Sequence, residues 1–167
     1  MDIFYHGSSC IIPFQKFNAD CDGSGIVTNN KRYGGFFFTS DKGNSEFYSE
    51  WFICKVSIKN IVKANSMHPP TALKENKTAI IHNIIDGDCF SDVVVVPHSN
   101  LEDVEILKWI FIGDKEALFE KYDEWFADDD GYITKDIVES IIDCMNIDLN
   151  YLLNIDVFKE YYESLKY

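Results

Sequence analysis

The sequence predicts an α+β fold, with strands in the first two thirds of the chain and helices in the last third. Three observations carry this. Short apolar runs bounded by Gly, Pro and Asn recur as far as Ile112. Four consecutive valines at 93–96 suit a strand buried on both faces. After Gly113 the apolar residues switch to helical spacing. At 167 residues, 46% apolar and 15% aromatic, the chain can bury one sizeable core.

Residues 2–6 read as a short strand, and 10–34 as mostly loop, with Gly23, Gly25 and the pair Asn29-Asn30 as turn residues. Phe36-Phe37-Phe38 reads as a buried strand. A helix is expected over 41–48 with Ser40 or Asp41 as its N-cap. Residues 51–58 are apolar, then partly alternating, and predict a strand. Pro69-Pro70 is expected to break the middle of the chain. Further strands follow at 79–85, 93–96 and 104–112.

Three apolar stripes come next: Leu118, Phe119, Tyr122 and Phe126; Ile137, Val138, Ile141 and Ile142; Val157, Phe158, Tyr161, Tyr162 and Leu165. They predict about three amphipathic helices. The expected organisation is a core over 1–113 with a helical extension over 114–167 packed on it, forming one compact domain.

Fifteen basic residues against 28 acidic ones give a net charge of -13. A phosphate backbone needs clustered Lys and Arg, so direct nucleic-acid binding is not expected. A basic protein partner is. No apolar run spans a membrane and no signal-peptide pattern opens the chain, so a cytoplasmic protein is expected. The five cysteines, Cys10, Cys21, Cys54, Cys89 and Cys144, form no C-x-x-C pair, and each is expected to be a buried, reduced thiol. The acidic turn Asp128-Asp129-Asp130-Gly131 is not a calcium loop. With Gly131 at loop position 6, positions 1 and 12 fall on Phe126 and Ile137, which offer no oxygen ligand.

Chemistry is concentrated near the N-terminus. Phe4-Tyr5-His6-Gly7-Ser8-Ser9 ends a short strand on a histidine and a glycine, and Arg32-Tyr33-Gly34-Gly35-Phe36-Phe37-Phe38-Thr39 is a glycine-aromatic strand leading to Tyr48. Each piece alone has a plainer reading: a turn histidine, a core aromatic run, a helix-surface tyrosine, an exposed loop cation. Together they offer an imidazole for ribose hydroxyls, backbone groups for an amide, rings to clamp a flat cation, and a guanidinium for a pyrophosphate.

In that order and spacing, Tyr5-His6-Gly7-Ser8, Gly35-Phe36-Phe37-Phe38-Thr39 and Tyr48 resemble the mono-ADP-ribosyltransferases of the His-Tyr-Glu class, the branch of diphtheria toxin and the poly(ADP-ribose) polymerases. The resemblance covers roughly residues 2–112 and is specific in the first 50. It implies a split β-sheet core that cleaves the nicotinamide–ribose bond of NAD and transfers ADP-ribose to a macromolecule. His6 would bind the adenosine ribose and Gly7 the nicotinamide amide. Tyr48 and Phe37 would stack on the ring, and Arg32 would neutralise the pyrophosphate.

Two positions depart from the family. Phe37 replaces the usual tyrosine, keeping the ring and losing a hydroxyl. The family's glutamate is matched by Asp92 ahead of the valine run, with Asp88, Glu102 and Glu105 in reserve. The resemblance implies a phage or bacterial effector, of which anti-CRISPR transferases are one type. Its acceptor would be a protein, one with a basic nucleic-acid-binding surface suiting the charge. Two other readings compete: an acidic mimic of nucleic acid, and a degenerate transferase fold that binds NAD without turnover. His68, His82 and His98 receive no role.

Overall fold

An eight-stranded mixed sheet organises the chain. The computed structural model describes residues 2–18, 25–28, 31–63, 69–86 and 89–167. The strands are β1 (Asp2–Ser8), β2 (Gly25–Thr28), β3 (Lys31–Thr39), β4 (Phe52–Ile58), β5 (Val62–Lys63), β6 (Ala79–Asp86), β7 (Cys89–Pro97) and β8 (Val104–Phe111). Seven run in the order β5-β6-β7-β3-β1-β4-β8, and β2 forms a hairpin with β3. Among the described residues β5 and β6 pair in parallel and the other pairings are antiparallel.

The helices are α1 (Lys42–Glu46), α2 (Pro69–Lys74), α3 (Lys115–Phe126), α4 (Lys135–Cys144), α5 (Leu149–Leu152) and α6 (Asp156–Ser164). Strands dominate before residue 112 and helices after it, so the fold is α+β.

The sheet is not evenly knitted. β1 pairs with β4 along its whole length, from Asp2↔Ile58 to Ser8↔Phe52. With β3 it pairs at one position among the described residues, Tyr5↔Thr39. Beyond that rung β3 follows β7, from Gly35↔Pro97 to Thr39↔Val93. The sheet therefore opens between β1 and β3 where the His6-Gly7 pair lies.

The two faces are covered differently. α1 packs on β1 and β3, and α2 on β3 and β7. On the opposite face, Phe4, Phe36, Phe38, Val94 and Val96 join a continuous core with Leu118, Tyr122, Phe126, Val138, Ile142, Phe158 and Tyr161 of the helices. Each such side chain contributes about 1.5–3 kcal/mol of burial. Leu118, Tyr122, Phe126, Val138, Ile142 and Phe158 are wholly buried, so the helices cannot leave without exposing the sheet.

Several expectations are corrected. α2 begins at Pro69, where proline's missing N–H costs nothing, so Pro69-Pro70 opens a helix where a break was expected. Residues 25–28 and 31–34 are not loop: β2 and β3 pair there antiparallel, while Asn29-Asn30 and Gly23 lie outside the described residues. The C-terminal third holds four helices, the extra one being the short α5. α1 stops at Glu46, leaving Tyr48 in the turn that follows. Asp41 is its N-cap, its carboxylate accepting from the Gly43 N–H at 2.8 Å. Cys54 is buried as expected, but Cys144 is exposed on α4 and Cys10 is half-buried. The positions Cys21 and Asp88 lie outside the described residues. The acidic turn is closed by Asp128, whose carboxylate accepts from the Asp130 and Tyr132 N–H groups. Among the described residues no helix is long and apolar enough to cross a membrane.

Candidate functional site

Where β1 leaves the sheet, the chain turns into residues 9–18 and borders a cleft of about 1090 Å³. That is at the upper end of the size range of small-molecule sites. Besides this loop, its walls come from four places. The end of β1 gives His6, Gly7 and Ser8, and the turn after α1 gives Tyr48. Phe36 and His98 form one side, and Met145, Asn146 and Ile147, just beyond α4, form another.

Loop 9–18 is fastened to the helices and to β8. The Tyr122 hydroxyl donates to the Ile11 carbonyl at 2.6 Å, and the Trp109 indole N–H to the Phe14 carbonyl at 3.0 Å. The Tyr151 hydroxyl donates to the same carbonyl at 3.3 Å, and the Asp148 N–H to the Gln15 side chain at 3.0 Å. Burial pushes the Tyr122 phenol far up, so it remains a donor at any physiological pH.

His6 is held from every side. Its Nδ1 lies 2.7 Å from the Phe37 carbonyl, an acceptor only, so Nδ1 carries the proton. The rings of Phe17, Phe36 and Phe38 surround it at 5.2, 5.7 and 5.2 Å between centroids. Burial lowers its pKa, and the bond to the Phe37 carbonyl opposes this less strongly. The imidazole is thus neutral at pH 7 with Nε2 as an acceptor, suited to a hydroxyl donor and not to an anion.

Strand alternation sends Gly7 to the other face, towards α1. A Cβ there would run into the Ser45 carbonyl and lie 2.9 Å from the Cβ of Tyr48. Glycine is what lets the turn after α1 sit directly on β1. The same junction is tied by the Ser49 hydroxyl, which bonds the Ser8 carbonyl. Tyr48 is 61% exposed and Phe47 beside it 80%. His6, Gly7 and Tyr48 therefore meet at one cleft.

The other candidate residues lie elsewhere. Phe37 projects to the Gly7 face but packs half-buried against Leu73 and Val95, outside the lining of the cleft. Arg32 pairs through its backbone with Val27 in the β2–β3 hairpin, and its side chain lies outside the described residues. Asp92 sits at the far end of β3: its N–H bonds the Ser40 hydroxyl at 3.1 Å and its carbonyl accepts from the Ser40 N–H at 2.9 Å. A rise of four steps along the strand, roughly 13 Å, separates it from Val96, the partner of Phe36. Glu102 and Glu105 line a neighbouring groove of about 450 Å³. Among the described residues no carboxylate lines the cleft.

Two features escape sequence reasoning. His98, without motif company in the sequence, stands in the cleft wall 5.6 Å from the Phe36 ring, and its Nε2 is buried with no partner. A Cβ on Gly34 would occupy the place of its imidazole, so Gly34 was the one available signal. The wall at 145–147, just beyond α4, left no signal at all. It reaches the cleft through tertiary packing. No family model matches this chain, and neither does any curated protein or solved structure, so the functional reading rests on the residues and geometry above.

Proposed function

We propose that the chain is an NAD-dependent mono-ADP-ribosyltransferase acting on a protein acceptor. The observation that carries this reading is the meeting of His6, Gly7 and Tyr48 at one cleft, at the opening between β1 and β3. Neutral His6 would accept a hydrogen bond from an adenosine-ribose hydroxyl at Nε2. Backbone at Gly7 would hold the nicotinamide amide, and the Tyr48 ring would stack on nicotinamide, with Phe37 as its counterpart. Arg32 would serve the pyrophosphate. In the reaction the C1′–N bond breaks with its electron pair going to nicotinamide, which leaves neutral. The cationic sugar is captured by an acceptor nucleophile that gives up its proton. Asp92 is the proposed carboxylate that stabilises the developing positive charge. The acceptor would be a basic protein, since a chain of net charge -13 repels nucleic acid and attracts cationic surfaces.

A second reading, NAD binding without turnover, is favoured by one observation: the absence of any carboxylate from the described cleft lining. Labelled NAD incubated with the protein and a host lysate separates the two. Transfer predicts a labelled acceptor and nicotinamide release, both lost in Asp92→Asn. Binding without turnover predicts thermal stabilisation by NAD with neither. Folded protein that gives neither label nor stabilisation sinks both.

A further inference from the structure

We infer that Lys16 is a phosphate-binding cation of the cleft, so that the ligand's anionic groups lie along loop 9–18. This extends the NAD reading above and rests on it for the identity of the ligand. The argument begins with charge. The chain carries 28 carboxylates, yet none lines this cleft among the described residues. The uncharged polar lining from Ser8, Ser9, Gln15, Asn18 and Asn146 sets no sign of its own. A large cavity whose described lining carries no acid, in so acidic a protein, is a place where those residues do not repel an anion.

The lining then narrows the choice. Two histidines and one lysine are its basic groups. His6 donates Nδ1–H to the Phe37 carbonyl and is kept neutral by its three phenylalanine neighbours. His98 has its Nε2 buried, out of reach of a ligand. Among the described lining residues, Lys16 alone brings a permanent positive charge, which would add to that of Arg32. It borders both the cleft and the groove that holds Glu102 and Glu105, and it makes no ion pair among the described residues. Its segment is not a loose loop end. The bond between Gln15 and the Asp148 N–H, and the two bonds to the Phe14 carbonyl, fix the backbone immediately before it. With the backbone before it anchored, the ammonium reaches a phosphate at the cost of its own side-chain entropy alone.

The test measures binding of NAD, ADP, inorganic pyrophosphate and nicotinamide riboside, which lacks phosphate, to the wild type, Lys16→Ala and Lys16→Arg. Thermal shift and calorimetry at two salt concentrations serve as readouts. Lys16→Ala is expected to weaken NAD, ADP and pyrophosphate about tenfold, to leave nicotinamide riboside unchanged, and to reduce the salt dependence. Lys16→Arg is expected to keep most of the affinity, and the unliganded melting temperature should not move in either variant. NAD bound equally by wild type and Lys16→Ala overturns the assignment while leaving the NAD reading intact. Pyrophosphate and ADP bound in a Lys16-dependent way, with NAD ignored, supports the assignment and removes the NAD reading. No binding of any phosphate-bearing probe removes both.

Discussion

The two side chains that line the cleft at the end of β1 are prepared in opposite ways. His6 is locked before any ligand arrives: one nitrogen is committed to the Phe37 carbonyl, three aromatic rings fix its plane, and burial settles its charge. Tyr48 stands more than half exposed in the turn after a five-residue helix. A locked hydrogen-bond acceptor meets its ordering cost during folding, whereas a ring more than half exposed buries further surface when a flat partner covers it. The difference teaches that one half of this cleft is preformed and the other half is completed by its ligand.

That contrast can be broken at several points, beginning where the effect is largest. Gly7→Val drives a side chain into the Ser45 carbonyl and the base of Tyr48. It should cost about 2–3 kcal/mol of stability in denaturant melts, together with ligand binding. His6→Ala removes a ring from among three others and should cost about 2 kcal/mol as well as NAD-dependent stabilisation. Tyr48→Ala should behave differently, weakening NAD about tenfold by calorimetry while stability stays within about 0.5 kcal/mol of wild type. If Tyr48→Ala destabilises the free protein as much as His6→Ala does, the two halves are not prepared differently and the comparison fails.

Tyr122→Phe probes the support beneath the preformed half. It strips the Ile11 carbonyl of its donor and should lower stability by about 1 kcal/mol, with a matching loss of amide protection in residues 9–18 by hydrogen exchange. The smallest effect is the pH dependence. In the unfolded chain His6 takes up a proton near its ordinary value of 6.5, and in the folded protein it resists. Acid therefore favours the unfolded state, so stability should fall as pH drops below about 6.5 and stay flat above it. His6→Gln should flatten that slope. A slope unchanged in the variant would move the effect to another group.

Much of the fold was legible because local pattern and tertiary role agree. The valine run lies between β6 and β3 and is buried on both faces at Val94, Val95 and Val96, as its composition implies. The stripes through Tyr122, Ile142 and Phe158 end in the core they predict. The pairing of β2 with β3 was not legible, since its glycines, Gly25 and Gly34, resemble those of a loop. For α2, propensity misled: Pro69-Pro70 punctuates a sequence whether it ends a segment or begins one.

At the site, His6, Gly7 and Tyr48 could be picked out because they fall within motifs. His98, Lys16 and the wall at 145–147 could not, because strands and helices distant in sequence bring them together. Asp92 shows the limit from the other side. Its place before the valines is plain in the sequence, but only pairing with Ser40 reveals that it stands at the opposite end of β3 from His98.

The single rung between β1 and β3 has a consequence for how the molecule breathes. One flank of β1 is zipped to β4 from end to end, while the other is pinned at Tyr5↔Thr39. Successive amides of a strand point to alternate flanks. In deuterated water, then, neighbouring residues of β1 should trade their protons on two separate clocks, slow towards β4 and fast towards the opening. A ligand seated across His6 and Gly7 would merge those clocks, and the residues that slow down would trace its outline along the strand.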